Sequence, residues 1–336
     1  IKKTTDLLQI GELDSVAAGD GESQPGPQAT ELLSKSEDAS QATVFRCEDE
    51  HLAGILHHAA GNSSLGVLIV VGGPQYRVGS HRQFVLLART LAAQGIPVFR
   101  FDYRGMGDST GAQRAFGDIE EDIRCAVDAF MSKMPRLRGV VLWGLCDAAT
   151  ANACYANLDH RVFGQIAVNP WVRTEESEAR AFIRHYYPKR AMSGSFWRQM
   201  ASMQYDVISA MRDFLKKLRS SVGLKSGTGD ADAAPLPQRM RDAQIAFSGP
   251  VMIVVSGRDL TAKEYLDSVD ASTEWQDWLN SAATELRVLE DADHTFSRAS
   301  WRDQLAAWSA AWIKRSFPSD FPHTSISSGA GWLRNR

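Results

Sequence analysis

Residues 140–150 read VVLWGLCDAAT. Val140 to Trp143 are consecutive apolar residues, as expected of a strand covered on both faces, since a half-exposed strand would alternate. The strand ends at Trp143, a tight turn follows, and a helix of small residues starts at Asp147. A strand, a sharp turn and a small-residue helix make the geometry of a nucleophile elbow. Its usual sequence is GxSxG, because the strained turn brings strand and helix so close that only small side chains fit on either side. Here Gly144, Leu145, Cys146, Asp147 and Ala148 fill that pattern, with Cys in place of Ser and Ala in place of the second Gly.

Working outward, the same rhythm recurs on both sides. LGVLIVVGG (65–73) reads as a short strand, and FVLLARTLAAQG (84–95) as a helix with Phe84, Leu87 and Leu91 on one face, stopped by Gly95. IPVFRFDY (96–103) is a strand that runs into the Gly-rich turn RGMGDST, and Asp118 with Glu121 predicts a capping box for a helix striped by Ile119, Ile123, Val127 and Phe130. RVFGQIAVNPW (161–171), GPVMIVVSGRD (249–259) and ATELRVLEDADH (283–294) are further strands. One helix is expected from about Thr261 to Ala282, and a last one opens with Ser300 and Asp303 and carries Trp301, Leu305, Trp308 and Trp312. Strands alternating with amphipathic helices imply right-handed crossovers and a mostly parallel, doubly wound α/β sheet.

Upstream, ATVFRCEDEHLAGILHHA (42–59) alternates around an acidic turn and predicts a β-hairpin. Residues 1–43 lack hydrophobic periodicity and are expected to be a loose tail. The core is expected over 44–173 and 247–316, interrupted at 174–246 by a helical cap insertion rich in aromatic and basic residues. A C-terminal tail covers 317–336.

Composition bounds the function. With 44% hydrophobic and 23% charged residues, the 336-residue chain can bury a large core. A net charge of −3 lacks the basic footprint of a nucleic-acid binder. No apolar run approaches the roughly 20 residues of a membrane helix, and no basic region followed by an apolar stretch resembles a signal peptide. Cys47, Cys125, Cys146 and Cys154 show no CxxC spacing and are too few for a disulfide scaffold, so a reducing, cytoplasmic setting is expected. No metal-ligand spacing such as HExxH appears, and neither a metal nor a cofactor is expected. Oligomeric state has no signature in the sequence.

A thiolate at a helix N-terminus is stabilised by unpaired amides and is strongly nucleophilic, although an inward-pointing Asp147 carboxylate would oppose it. A cysteine after a buried strand is more ordinarily a structural core residue. Two further elements favour chemistry. Asp259 ends SGRD and His294 sits in DADHTF, each just beyond a strand's C-terminal end, where ligand sites of such sheets form. Asp291 and Asp293 compete with Asp259 to orient the imidazole. One oxyanion donor is expected at the amide of Asp147. The second should come from the loop after the first long strand, where Pro74 has no N–H and Gln75 is favoured over Gly73. His81, His185, Arg77 and Arg104 either line the mouth and meet an acidic substrate group or are simply solvated. The glycines of RGMGDS fit neither phosphate-loop spacing and read as a structural turn.

With these residues identified, the chain resembles α/β hydrolases of the serine aminopeptidase and lysophospholipase-like group over about 44–316. The likeness is carried by the Gly-Gly turn, FDYRGMGDS, the elbow, SGRD and DHTF, and by the chain order nucleophile, acid, His. GGPQYRVGSHRQF, FDYRGMGDS and WGLCDAA bring it closest to the exosortase A-associated hydrolase 1 family, which implies a bacterial cytoplasmic hydrolase from exopolysaccharide and protein-sorting clusters. Its Cys elbow is also similar to that of dienelactone hydrolases and polyhydroxyalkanoate synthases. The expectation is then a Cys146/His294/Asp259 triad acting on a small-molecule or lipid-like acyl ester or thioester. An acyltransferase using the same triad and a non-catalytic binding protein are the alternatives.

Overall fold

The computed structural model describes residues 40–73, 75–172 and 234–321. Among these residues eight strands form one sheet: β1 (Ser40–Cys47), β2 (Glu50–His57), β3 (Leu65–Val70), β4 (Val98–Phe101), β5 (Gly139–Leu145), β6 (Val162–Val168), β7 (Val251–Ser256) and β8 (Thr284–Leu289). Their spatial order is β1-β2-β4-β3-β5-β6-β7-β8. β2 pairs antiparallel with both neighbours, so it alone runs against the other seven. This is the α/β hydrolase architecture expected from the sequence.

The central strands β3, β5 and β7 are buried at every residue, as both-face coverage requires. Edge strands β1 and β8 expose Val44, Leu286 and Val288. Successive side chains of β3 part to opposite layers. Leu65, Val67 and Ile69 join the layer of α1 (Gln83–Ala93) and α7 (Ala299–Ser316), which contributes Phe84, Leu87, Leu91, Leu305 and Trp312. Leu68 and Val70 join the layer of α2 (Glu120–Lys133), α3 (Asp147–Ala156), α4 (Leu236–Ala246), α5 (Leu260–Asp270) and α6 (Thr273–Leu279). Trp143 of β5 meets Phe84 of α1 edge to face at 5.7 Å.

Several expectations need correction. The Asp118–Glu121 capping box does not form: a 3-10 turn at Phe116–Asp118 precedes α2, Ile119 occupies the N-cap, and Glu121 accepts from Arg124 Nε at 2.9 Å instead. The single helix expected over 261–282 is two, because Ser272 caps α6 by accepting from Trp275 N–H. The Ser300 and Asp303 start expected of the last helix gives way to an N-cap at Arg298 in α7. Structure extends into both expected tails. β1 begins at Ser40, and Asp320 is buried beneath Ser64 and Arg138, whose Nη2 donates at 2.6 Å. The end of the expected insertion, α4, packs into the core, with Gln244 accepting from Trp275 Nε1 at 2.7 Å. The rest of that insertion, His185 included, lies outside the described residues.

The four cysteines are not all thiols. Cys47, closing β1, and Cys125, in α2, form a disulfide with their Cα atoms 5.6 Å apart. Spacing along the chain does not reveal this pair, because the hairpin edge and α2 are brought together only by the tertiary fold. Among the described residues no helix is long and apolar enough to cross a membrane.

Candidate active site

Cys146 stands between β5 and α3 at φ 63°, ψ −127°. A side chain in this region is strained and persists only where the surroundings fix it. Here they do: Cys146 N–H donates to Val168 O at 2.9 Å, and its own carbonyl accepts from Ala149 N–H at 3.1 Å and Trp171 N–H at 3.3 Å. The small flanking residues are a steric necessity. A Cβ on Gly144 would lie 2.6 Å from Asn152 Nδ2 and 2.8 Å from the Ala148 carbonyl group. One on Gly72 would meet Asp147 Oδ1, Leu145 O at 2.7 Å and Ala148 N at 2.9 Å. Cys146 and Cys154 take no part in a disulfide.

At the same edge of the sheet, His294 Nδ1 lies 2.8 Å from Asp259 Oδ2. Asp259 is buried and caps α5, accepting from Thr261 N–H at 3.1 Å and Ala262 N–H at 3.2 Å, so the helix end fixes the carboxylate that holds the imidazole. The competing acids are engaged elsewhere. Asp293 accepts from Ser297 N–H at 3.0 Å, and Asp291 pairs with Arg258 at 3.1 Å.

Asn169, just past β6 at φ 44°, went unremarked in the sequence. Its Nδ2 donates to His294 O at 3.0 Å and to Ser256 Oγ at 2.9 Å, and its Oδ1 accepts from Ser256 N–H at 2.8 Å. It ties the ends of β6 and β7 to the His294 loop. The Asn-Pro step closing an apolar run was the available signal.

The loop after β3 turns its Gly73 amide toward the elbow, where it donates to Asp147 Oδ2 at 2.9 Å; Asp147 Oδ1 accepts from Ala148 N–H at 2.9 Å. Gln75 uses its side-chain oxygen to accept from Ser80 N–H at 3.2 Å. Burial pushes the Asp147 carboxyl above its ordinary range. The amides of Gly73, Ala148 and Asp147 itself, and the charge of His294, pull the other way.

FDYRGMGDS is a structural turn around the buried Asp102, which accepts from Arg77 and from Asp108 N–H at 3.1 Å. Arg77 and Arg104 are therefore tied to carboxylates, Arg104 to Asp122 and Glu48. His81 lies near Asp293, whose charged form it favours. A concavity of about 690 Å³ lies at the far end of α3, lined by ion-paired groups such as Arg124, Glu121, Arg161 and Asp159 rather than by the elbow residues. Cys47, Cys125 and Glu121 bring potential metal-ligand atoms together, but the two sulfurs are bonded to each other and Glu121 pairs with Arg124.

Solved structures similar to the chain include the esterase Pf2001 of Pyrococcus furiosus, at 17% identity and TM-score 0.58, covering 84% of this chain and 95% of that one. The α/β hydrolase GrgF of Penicillium sp. sh18 is 18% identical at TM-score 0.53, covering 83% and 99%. Est1E of Butyrivibrio proteoclasticus, with ferulic acid bound, is 15% identical at TM-score 0.53, covering 82% and 100%. At these identities the likeness is one of fold. No curated protein sequence matches the chain. The family described as Serine aminopeptidase, S33, matches residues 67–297, which run from β3 through the elbow to the loop that carries His294. The chain belongs to that family of α/β hydrolases.

Proposed function

We propose that the protein hydrolyses an ester or thioester through Cys146, with His294 as general base and acid and Asp259 as the group that orients it. The thiolate, its proton taken by His294, attacks the carbonyl carbon; a C–S bond forms and the carbonyl π pair moves to oxygen. Collapse breaks the bond to the leaving group, which takes the proton from His294 and leaves a thioester on Cys146. Water, deprotonated by His294, then attacks that thioester and releases the carboxylic acid, and the thiol is restored. The oxyanion is held by the amides of Asp147 and Gly73, the latter preferred to Gln75 because it faces the elbow.

The observation that carries this proposal is the coincidence, at one sheet edge, of a cysteine at φ 63° and a His–Asp pair at 2.8 Å. Thiolate is a better leaving group than an amine, so activated acyl donors of small-molecule or lipid-like kind are preferred to amides. The esterase name of one structural neighbour, Pf2001 of Pyrococcus furiosus, agrees with carbonyl chemistry of this class. Membership of the exosortase A-associated group remains a proposal on the motifs GGPQYRVGSHRQF and WGLCDAA.

The test is intact mass after incubation with a panel of acyl thioesters and p-nitrophenyl esters. An acyl adduct on the Cys146 peptide is expected, lost in Cys146→Ala and slowed in His294→Ala. Hydrolysis that persists in Cys146→Ala overturns the proposal.

A further inference from the structure

An oxyanion hole works by presenting N–H groups with no other acceptor to the incoming carbonyl oxygen. In this site the Gly73 N–H already has one. Asp147 Oδ2 accepts from Gly73 N–H at 2.9 Å, Oδ1 accepts from Ala148 N–H at 2.9 Å, and the amide of Asp147 itself also favours its charged form. The carboxylate thus bridges the loop after β3 and the first turn of α3, next to the nucleophile. Gly72 makes room for it: a side chain there would occupy the space of Asp147 Oδ1.

A charged acceptor holds an amide more strongly than a neutral carbonyl does. A substrate carbonyl therefore cannot take the Gly73 amide by exchange alone, and a carboxylate left in place would repel the charge that develops on the oxygen. Displacement has to be driven by binding energy from parts of the substrate away from the reacting carbon.

We propose that the Asp147 side chain is a specificity-determining gate of the oxyanion hole, which must swing off the Gly73 amide before acyl transfer and so disfavours acyl donors with little surface beyond the carbonyl. This rests on Cys146 being the nucleophile. Asparagine offers one acceptor where two amides need one each, so Asp147→Asn cannot keep both bonds, and Asp147→Ala keeps neither.

The experiment compares kcat/KM for p-nitrophenyl acetate and p-nitrophenyl octanoate in the full chain, Asp147→Asn and Asp147→Ala. It is paired with the rate of Cys146 alkylation by iodoacetamide, a displacement at saturated carbon that needs no oxyanion hole. The native chain is expected to favour octanoate strongly. Both variants should raise acetate turnover by at least roughly tenfold, a part of the roughly 10²–10³-fold that one oxyanion donor commands. They should raise octanoate less and alkylation less than acetate, so that the octanoate-to-acetate ratio narrows. An octanoate-to-acetate ratio near one in the native chain overturns the gate without any variant. So does acetate turnover that is unchanged or lower in the variants while alkylation persists. Turnover surviving in Cys146→Ala is a separate result: it overturns the nucleophile assignment and the gate with it.

Discussion

The buried Asn169 side chain reaches the backbone carbonyl of His294 with its Nδ2 3.0 Å from the oxygen. The same amide satisfies Ser256 through two more bonds. Asn169→Ala leaves the Ser256 N–H without its acceptor and puts a Cβ-bearing residue with no local hydrogen bond at φ 44°, which costs about 3 kcal/mol of stability by denaturant titration. As a positioning residue, Asn169 should affect kcat and leave KM nearly unchanged. Asn169→Gly, which accepts the backbone angle, should recover part of the stability and none of the kcat.

At Gly144 the added methyl of an alanine would press on the Asn152 amide and the Ala148 backbone. The Ala148 backbone cannot give without moving α3 off β5. Gly144→Ala is expected to cost about 1–3 kcal/mol in urea unfolding and to slow acylation of Cys146 by shifting the elbow.

His57, buried in β2, accepts from Arg100 Nε at 2.9 Å and is held neutral. Burial first, then the charge of Arg100, lowers its pKa from 6.5 to about 4. Below 6.5 the unfolded chain binds a proton that the folded chain refuses, so this contribution is fully present above that pH and is lost as pH falls toward 4. Its size is on the order of 3 kcal/mol. Stability of the native chain should fall more steeply between these limits than that of His57→Gln, which keeps an acceptor for Arg100 and cannot titrate; urea midpoints across the range measure the difference.

The disulfide predicts a labelling pattern. Of the four cysteines, Cys146 and Cys154 alone should take iodoacetamide in denatured, unreduced protein, and all four after reduction. Because the bridge closes a loop of 78 residues, replacing Cys47 and Cys125 by Ala should cost about 2–4 kcal/mol. Four labels without reduction would refute the bridge.

What could be read in advance was whatever local pattern dictates. VVLWGLCDAAT announced its strand and sharp turn because burial on both faces and a close helix leave a mark on consecutive residues. Asp259 and His294 were found because strand ends are visible in sequence, and the structure brings those two together. The misses were tertiary. Cys47 and Cys125 meet only when the outer hairpin lies along α2. Asn169 matters through a residue 125 positions away. The direction of the Asp147 carboxylate depends on where the loop after β3 sets Gly73, and the split between α5 and α6 turned on a single serine cap.

Asp320 fastens the chain to Ser64 and Arg138, the residues that lead into β3 and β5, whereas Cys146 stands where β5 ends. Seven strand residues at about 3.3 Å each put roughly 20 Å of sheet between these two poles. A bead or surface coupled through Ser319→Cys, at the exposed position beside Asp320, would therefore grip the molecule by its base and leave the reactive rim turned toward the solution.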